Sequence, residues 1–348
     1  MVIRFGVIAL AIFVLNVNAL LCGLQSSCNG CTSTPGCFYN AAESKCENLV
    51  RAPFTDKINV INIPYDCPIP QPAAFPYTDA FGRDRAFLFS AASNGENKTQ
   101  VEACIKKVNA TFYSQYTIPC DWLNQNCSGY IAINPNEKSI VLTFRGSKGS
   151  TQFYTEALNL LTYGSRRSSL VDGDVFTYFI DAFEKLWAAG IKADLETLKA
   201  SVEYHDYELW TFGHSLGGSL ASLASVAAVK GGMFQKENVK SVTMGQPRTG
   251  SLEFAISHDI YVPYSYRIVH AKDLITKLPF KVLPGQPNAY HHRFEVWYNN
   301  DMSSGASFVV KERGDDWSGS NSLDSNLQDS SHLTYFNEDI DNYYLLKC

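Results

Sequence analysis

The chain has 348 residues, 45% of them hydrophobic and 18% charged, enough apolar material for one large core or for a core plus a small module, and too much for a disordered chain. Its net charge is −5 at pH 7 and it has no Lys/Arg-rich run. A phosphate-backbone partner is therefore not expected, which excludes nucleic acid as a ligand.

The first 19 residues, MVIRFGVIALAIFVLNVNA, place Arg4 ahead of an apolar run from Phe5 to Leu15 and end on Val17-Asn18-Ala19, with small residues at cleavage positions. This is the architecture of a secretory signal peptide. An uncleaved anchor is the competing reading, but the run is shorter than the roughly 20 residues a membrane span needs. No other segment approaches that length, so no transmembrane segment is expected after cleavage and the expected location is extracellular. Loss of Arg4 takes the net charge to −6. Asn97, Asn109 and Asn126 each open an Asn-x-Ser/Thr acceptor, which suits a glycosylated, secreted surface.

Ten cysteines in an oxidising compartment imply five disulfides. Cys22, Cys28, Cys31, Cys37, Cys46 and Cys67 crowd a Gly/Ser/Asn-rich stretch with few large apolar residues, which needs covalent staples to fold. Their spacing resembles the small cysteine-rich module of plexins, semaphorins and integrins. The six are expected to pair among themselves, in an order the sequence leaves open, and the partner of such a module is unknown. A metal site at Cys28-x-x-Cys31 competes, but the compartment favours disulfides. The reading divides the chain into a signal peptide (1–19), a cysteine-rich module (20–67), a proline-stiffened linker (68–77) and a second unit (78–348).

In the second unit, short β-rich runs alternate with helical patterns. SIVLTFRGS (139–147), YELWTFGHS (207–215), VKSVTMGQP (239–247), YSYRIVHA (264–271) and FEVWYNN (294–300) read as strands. Between the first two, residues 175–202 carry Phe179, Ala182, Leu186, Ile191, Leu195 and Leu198 at helical spacing. Strands separated by helices imply an α/β fold with a mostly parallel sheet covered on both faces.

A strand ending at Phe212, then Gly213-His214-Ser215-Leu216-Gly217-Gly218, then a helix of small residues is the G-x-S-x-G nucleophile elbow. The turn lifts the Ser215 hydroxyl above the sheet. The thin helix, with Gly218, Ala221, Ser222, Ser225 and Ala228, packs close and aims its N-terminal N–H groups at developing negative charge. A serine needs a base, and in this fold an acid and then a histidine follow it in sequence. The candidate acid is Asp273, just past the strand ending near His270. The candidate bases are His291, His292 and His332. His214 adjoins the nucleophile and should point elsewhere, whereas His205 and His258 precede the acid and read as surface residues. His291 and His292 open a strand pattern, whose ladder is expected to hold them; His332 lies in a polar stretch that leads into an apolar, helix-like segment.

From about Phe81 to Cys348 the chain resembles the class 3, fungal-type lipases of the α/β-hydrolase superfamily. The resemblance rests on TFRGS (143–147), GHSLGGSLASL (213–223), GQPRTG (245–250), HAKDLITKLP (270–279), HHRFEVWY (291–298) and SSHLTYF (330–336), all in family order. It implies an α/β-hydrolase fold, Ser215 as nucleophile, Asp273 as orienting acid and His332 as base. Ser147 and the Leu216 N–H are implied as oxyanion donors, with a supporting histidine at His291. The implied reaction is ester hydrolysis through an acyl-enzyme, with no metal and no cofactor. Family precedent for a tied-back C-terminus points to Cys104–Cys348, and Cys120 and Cys127 are placed to close a short loop.

The resemblance also puts a lid directly after Ser147, where Phe153, Tyr154, Ala157, Leu158 and Leu161 share one helical face opposite Gln152, Thr155, Glu156 and Asn159. Such a helix would cover an acyl groove and open at a lipid–water interface; a permanently packed surface helix is the alternative. The expected substrate is a lipid ester, foremost triacylglycerol. Phospholipase A1 or feruloyl-type esterase activity would use the same machinery, because the triad fixes the reaction and the pocket fixes the substrate. An inactive lipid-binding relative is the reading from outside the enzymes.

Overall fold

A computed structural model describes residues 20–120, 126–147, 164–281, 289–323 and 330–348. The expected signal peptide and the expected lid residues Phe153, Tyr154, Leu158 and Leu161 lie outside the described residues. The chain forms two compact units, one running to Pro70 and including Glu312–Ser322, the other comprising Gln71–Lys311 and Leu323–Cys348.

The small unit is a three-stranded antiparallel sheet in which Cys37–Asn40 pairs with both Lys45–Asn48 and Val60–Ile61. A one-turn helix, Cys28–Thr32, is capped by the Ser27 hydroxyl. Its six cysteines pair as Cys22–Cys37, Cys28–Cys67 and Cys31–Cys46. Cys28 and Cys31 are thus both spent in disulfides, and neither is a thiolate ligand. The segment Glu312–Ser322, which the sequence reading left within the second unit, clusters with the small one for a local reason. Glu312 O accepts from Ile69 N at 3.1 Å, Arg313 Nη1 donates to Ile58 O at 2.9 Å, and Trp317 takes the Lys57 ammonium 3.5 Å above its ring.

The large unit is built on an eight-stranded sheet whose spatial order follows the chain. The strands are β1 (Thr111–Pro119), β2 (Asn126–Asn134), β3 (Ser139–Phe144), β4 (Glu208–His214), β5 (Val239–Met244), β6 (Tyr264–His270), β7 (Glu295–Tyr298) and β8 (Val309–Lys311). Strands β3 to β7 run parallel, and β1, β2 and β8 join antiparallel at the edges. Alternation of side chains sorts them into two cores. Ile140, Leu142 and Phe144 of β3 face one core, with Leu209 of β4, whereas Val141, Trp210 and Phe212 face the other.

The first core is covered by α2 (Thr177–Leu186), α3 (Lys192–Ala200), α4 (Leu216–Lys230) and α5 (Leu252–Tyr261). The second is covered by residues 86–92, by α1 (Lys98–Ile105) and by the C-terminal segment around Tyr335 and Ile340. The helical pattern of 175–202 divides into α2 and α3 with a widened turn at Trp187–Ile191 between them. All six of its periodic apolar residues are buried. Cys104–Cys348 and Cys120–Cys127 both form. Among the described residues, no helix is long and apolar enough to cross a membrane.

Candidate active site

Strand β4 ends at His214 and α4 begins at Leu216, so Ser215 alone makes the turn. Its φ of 55° and ψ of −126° are sparsely populated by L-residues, the kind of strain that concentrates at functional sites. Glycine is required on both sides of it. A Cβ on Gly213 would lie 2.2 Å from Gly217 C, and one on Gly217 would lie 2.2 Å from Phe144 O. The Gly146 backbone also reaches the turn, since a Cβ there would stand 3.5 Å from Ser215 Cβ. Ser147 is the next residue in the chain after Gly146, and Leu216 is the first residue of α4.

Asp273 follows β6 and is completely buried. Its Oδ1 accepts from Ile275 N at 2.9 Å, and its Oδ2 stands 2.8 Å from His332 Nδ1 and 3.1 Å from the donating Tyr335 hydroxyl. The contact with the carboxylate favours the His332 tautomer that carries its proton on Nδ1. Neighbours on both sides of Ser215 lead to this pair. His214 lies with its ring centroid 4.5 Å from that of His332, and Ser215 N donates to Met244 O at 2.9 Å. Gly245, the residue after Met244, has a φ of 57°, and a Cβ on it would lie 2.8 Å from His332 Cε1 and 2.9 Å from Asp273 Oδ2. Ser215 follows β4 and Asp273 follows β6, with β5 between them, at the C-terminal edge of the parallel strands where ligand sites of open α/β sheets form, and His332 meets Asp273 there.

The other histidines are occupied elsewhere. His214 Nε2 donates to His332 O at 2.7 Å. Burial, and then the charge on His332, push the His214 pKa well below its usual value, which keeps the ring neutral. His291 Nε2 donates to Thr276 O at 2.6 Å while Thr276 Oγ1 donates to Asp273 O at 2.9 Å, so His291 braces the acid loop. His292 bridges Ser265 Oγ and Gln246 Oε1 at 3.3 and 3.2 Å. His258 is a correction to the sequence reading. It is fully buried, not superficial, because α5 lays its ring on that of His292 with centroids 3.8 Å apart. Burial lowers the pKa of both rings. The segment after His332 also differs from expectation. Positive φ at Phe336 and Asn337 turns it into a small hairpin, Thr334–Tyr335 against Glu338–Asp339, in place of a helix.

His258, Asp259 and His292 bring ligand-type atoms within 4.8 Å of one another. The Asp259 carboxylate, however, already pairs with Arg293 Nε at 3.5 Å and accepts from Arg293 N at 3.0 Å. Arg267 adds a second positive charge that disfavours protonation of both rings, and it would oppose a metal cation for the same reason. The three acceptor residues Asn97, Asn109 and Asn126 are all exposed. Sequence reasoning missed Gly245 and Tyr335 as parts of the site, although both lie in stretches that carried the resemblance.

Comparison with known proteins agrees with this geometry. The profile of the family described as Lipase (class 3) matches residues 141–283. A lipase of Caenorhabditis elegans is 31% identical over 294 residues, covering 76% of this chain and 81% of that protein. A secreted mono- and diacylglycerol lipase of Fusarium solani is 31% identical over 151 residues, covering 43% of this chain and 42% of its own. Among solved structures, a lipase from Rhizopus microsporus var. chinensis superposes with a TM-score of 0.62 at 24% identity, over 78% of this chain and 93% of that one. The site and the fold together define an α/β-hydrolase with a serine elbow. The chain belongs to the class 3 lipase family and is a carboxylic ester hydrolase.

Proposed function

We propose that this is a secreted lipase that hydrolyses lipid esters, triacylglycerols foremost, through an acyl-enzyme on Ser215. The observation that carries the reading is the 2.8 Å contact of His332 Nδ1 with Asp273 Oδ2, buried beside the strained Ser215 turn. In this mechanism His332 Nε2 takes the Ser215 proton as Oγ attacks the ester carbonyl. Asp273 fixes the ring orientation and stabilises the imidazolium that forms. The carbonyl oxygen gathers negative charge opposite the Leu216 N–H and Ser147, where the N-terminal end of α4 adds its dipole. His332 then returns the proton to the departing alcohol and activates the water that releases the fatty acid.

Secretion is supported by the leader-like first 19 residues, by five disulfides and by the exposure of all three acceptor asparagines. At Asn97 the cap to Gln100 N uses Oδ1, so a glycan attached through Nδ2 leaves α1 capped. The substrate assignment is tested by a hydrolysis panel of emulsified triolein, phosphatidylcholine vesicles and a soluble feruloyl ester. Faster turnover of triolein is the expected result; preference for either of the others would overturn it.

A further inference from the structure

The ends of three consecutive parallel strands converge on the turn that carries His332. His214 at the end of β4 donates to His332 O, and Gly245 after β5 packs against the His332 ring. His270, the last residue of β6, completes the set. Its Nδ1 lies 3.1 Å from Ser331 O and its Nε2 lies 2.9 Å from Asn300 O, on the loop after β7. The peptides on both sides of the His332 Cα are therefore held by histidines, one from β4 and one from β6.

A carbonyl oxygen only accepts, so both nitrogens of His270 must donate for both contacts to stand. A neutral imidazole has one N–H, and its other nitrogen would aim a lone pair at an oxygen. We propose that His270 is a positioning residue for acyl transfer, its doubly protonated ring pinning the His332 turn to the loop after β7. This proposal rests on His332 being the base.

The surroundings suit a cation. His270 is 9% exposed, and the Asp301 carboxylate lies close enough to interact with its charge. The other titratable groups around it are Tyr335, whose ring centroid is 6.0 Å away, His332 beyond Ser331, and Asp273, whose N–H donates to His270 O at 3.1 Å. Asp273 and Asp301 offset the repulsion between His270 and the transient His332 imidazolium. Among the described residues, His270 hydrogen-bonds backbone carbonyls, so its effect is geometric and falls on turnover. A displacement of the base by a fraction of an ångström is enough to slow the reaction.

Two measurements on the full secreted chain test this. In His270→Gln the side-chain amide can donate to one carbonyl but not to both. We expect kcat on a short soluble ester to fall about 10- to 100-fold with KM nearly unchanged. Histidine ¹⁵N NMR on the wild-type protein gives a result independent of whether that variant folds. Both ring nitrogens of His270 should carry protons across the pH range of maximal hydrolysis. One unprotonated His270 nitrogen in that range, or wild-type kcat in a folded His270→Gln, overturns the proposal. Wild-type protein that hydrolyses no ester would instead overturn the functional reading beneath it.

Discussion

Gly245 and His332 are in contact so close that no side chain fits between them: a Cβ on Gly245 would lie 2.8 Å from His332 Cε1 and 2.9 Å from its Nδ1. Because Gly245 also has a φ of 57°, alanine there is strained by about 1–2 kcal/mol in backbone alone and must push the ring off Asp273. Gly245→Ala is expected to lower kcat on a soluble ester about 100-fold while leaving KM within a factor of a few. Steady-state kinetics with a thermal melt separates this from unfolding.

Tyr335 donates to the same Asp273 oxygen that holds His332. Removing that hydroxyl in Tyr335→Phe deletes one bond to a buried charge, a loss of about 1.5–3 kcal/mol. Turnover should fall roughly 10-fold if the carboxylate loses its orientation. An unchanged kcat would show that Ile275 N and His332 are enough to hold Asp273.

Stability should depend on pH through buried neutral histidines. His214, His258 and His292 all have pKa values lowered by burial. Above the unfolded value near 6.5, both states are deprotonated and the full stability is present. As pH falls below it the unfolded chain takes up protons that the folded chain refuses, so stability drops by up to about 1.4 kcal/mol per pH unit for each ring. The loss stops once pH passes the folded values. Urea denaturation at pH 7.5 and 5 should show the decline, and His258→Leu should make it shallower. Equal slopes in the two proteins would mean that His258 is protonated in the fold.

Cys104–Cys348 closes a span of 244 residues and ties the last residue to α1. Cys348→Ser is expected to cost about 2–5 kcal/mol, read as a shift in the urea midpoint.

Much of the fold could be read from the sequence because short apolar, β-branched and aromatic runs such as SIVLTF (139–144) mark buried strands, and because strand, elbow and thin helix adjoin at Ser215. The elements of the site that escaped notice depend on tertiary approach. Nothing local in GQPRTG says that Gly245 must make room for a histidine 87 positions later. Likewise His258 has the sequence context of an exposed helical histidine, yet His292, arriving from a distant loop, stacks on it and helps to bury it. The return of Glu312–Ser322 to the small unit was hidden for the same reason, since Trp317 lies 260 positions after the Lys57 it meets.

The central claim is that Ser215 is a nucleophile activated by His332, and fluorophosphonate labelling followed by peptide mapping tests it most directly. The probe needs an activated serine but no particular lipid. The wild-type chain and His291→Ala should be modified on the peptide containing Ser215, and His332→Ala, folded by circular dichroism, should be modified at least about 1,000-fold more slowly. Modification of a different serine, or wild-type labelling rates in His332→Ala with none in folded His291→Ala, would contradict the account.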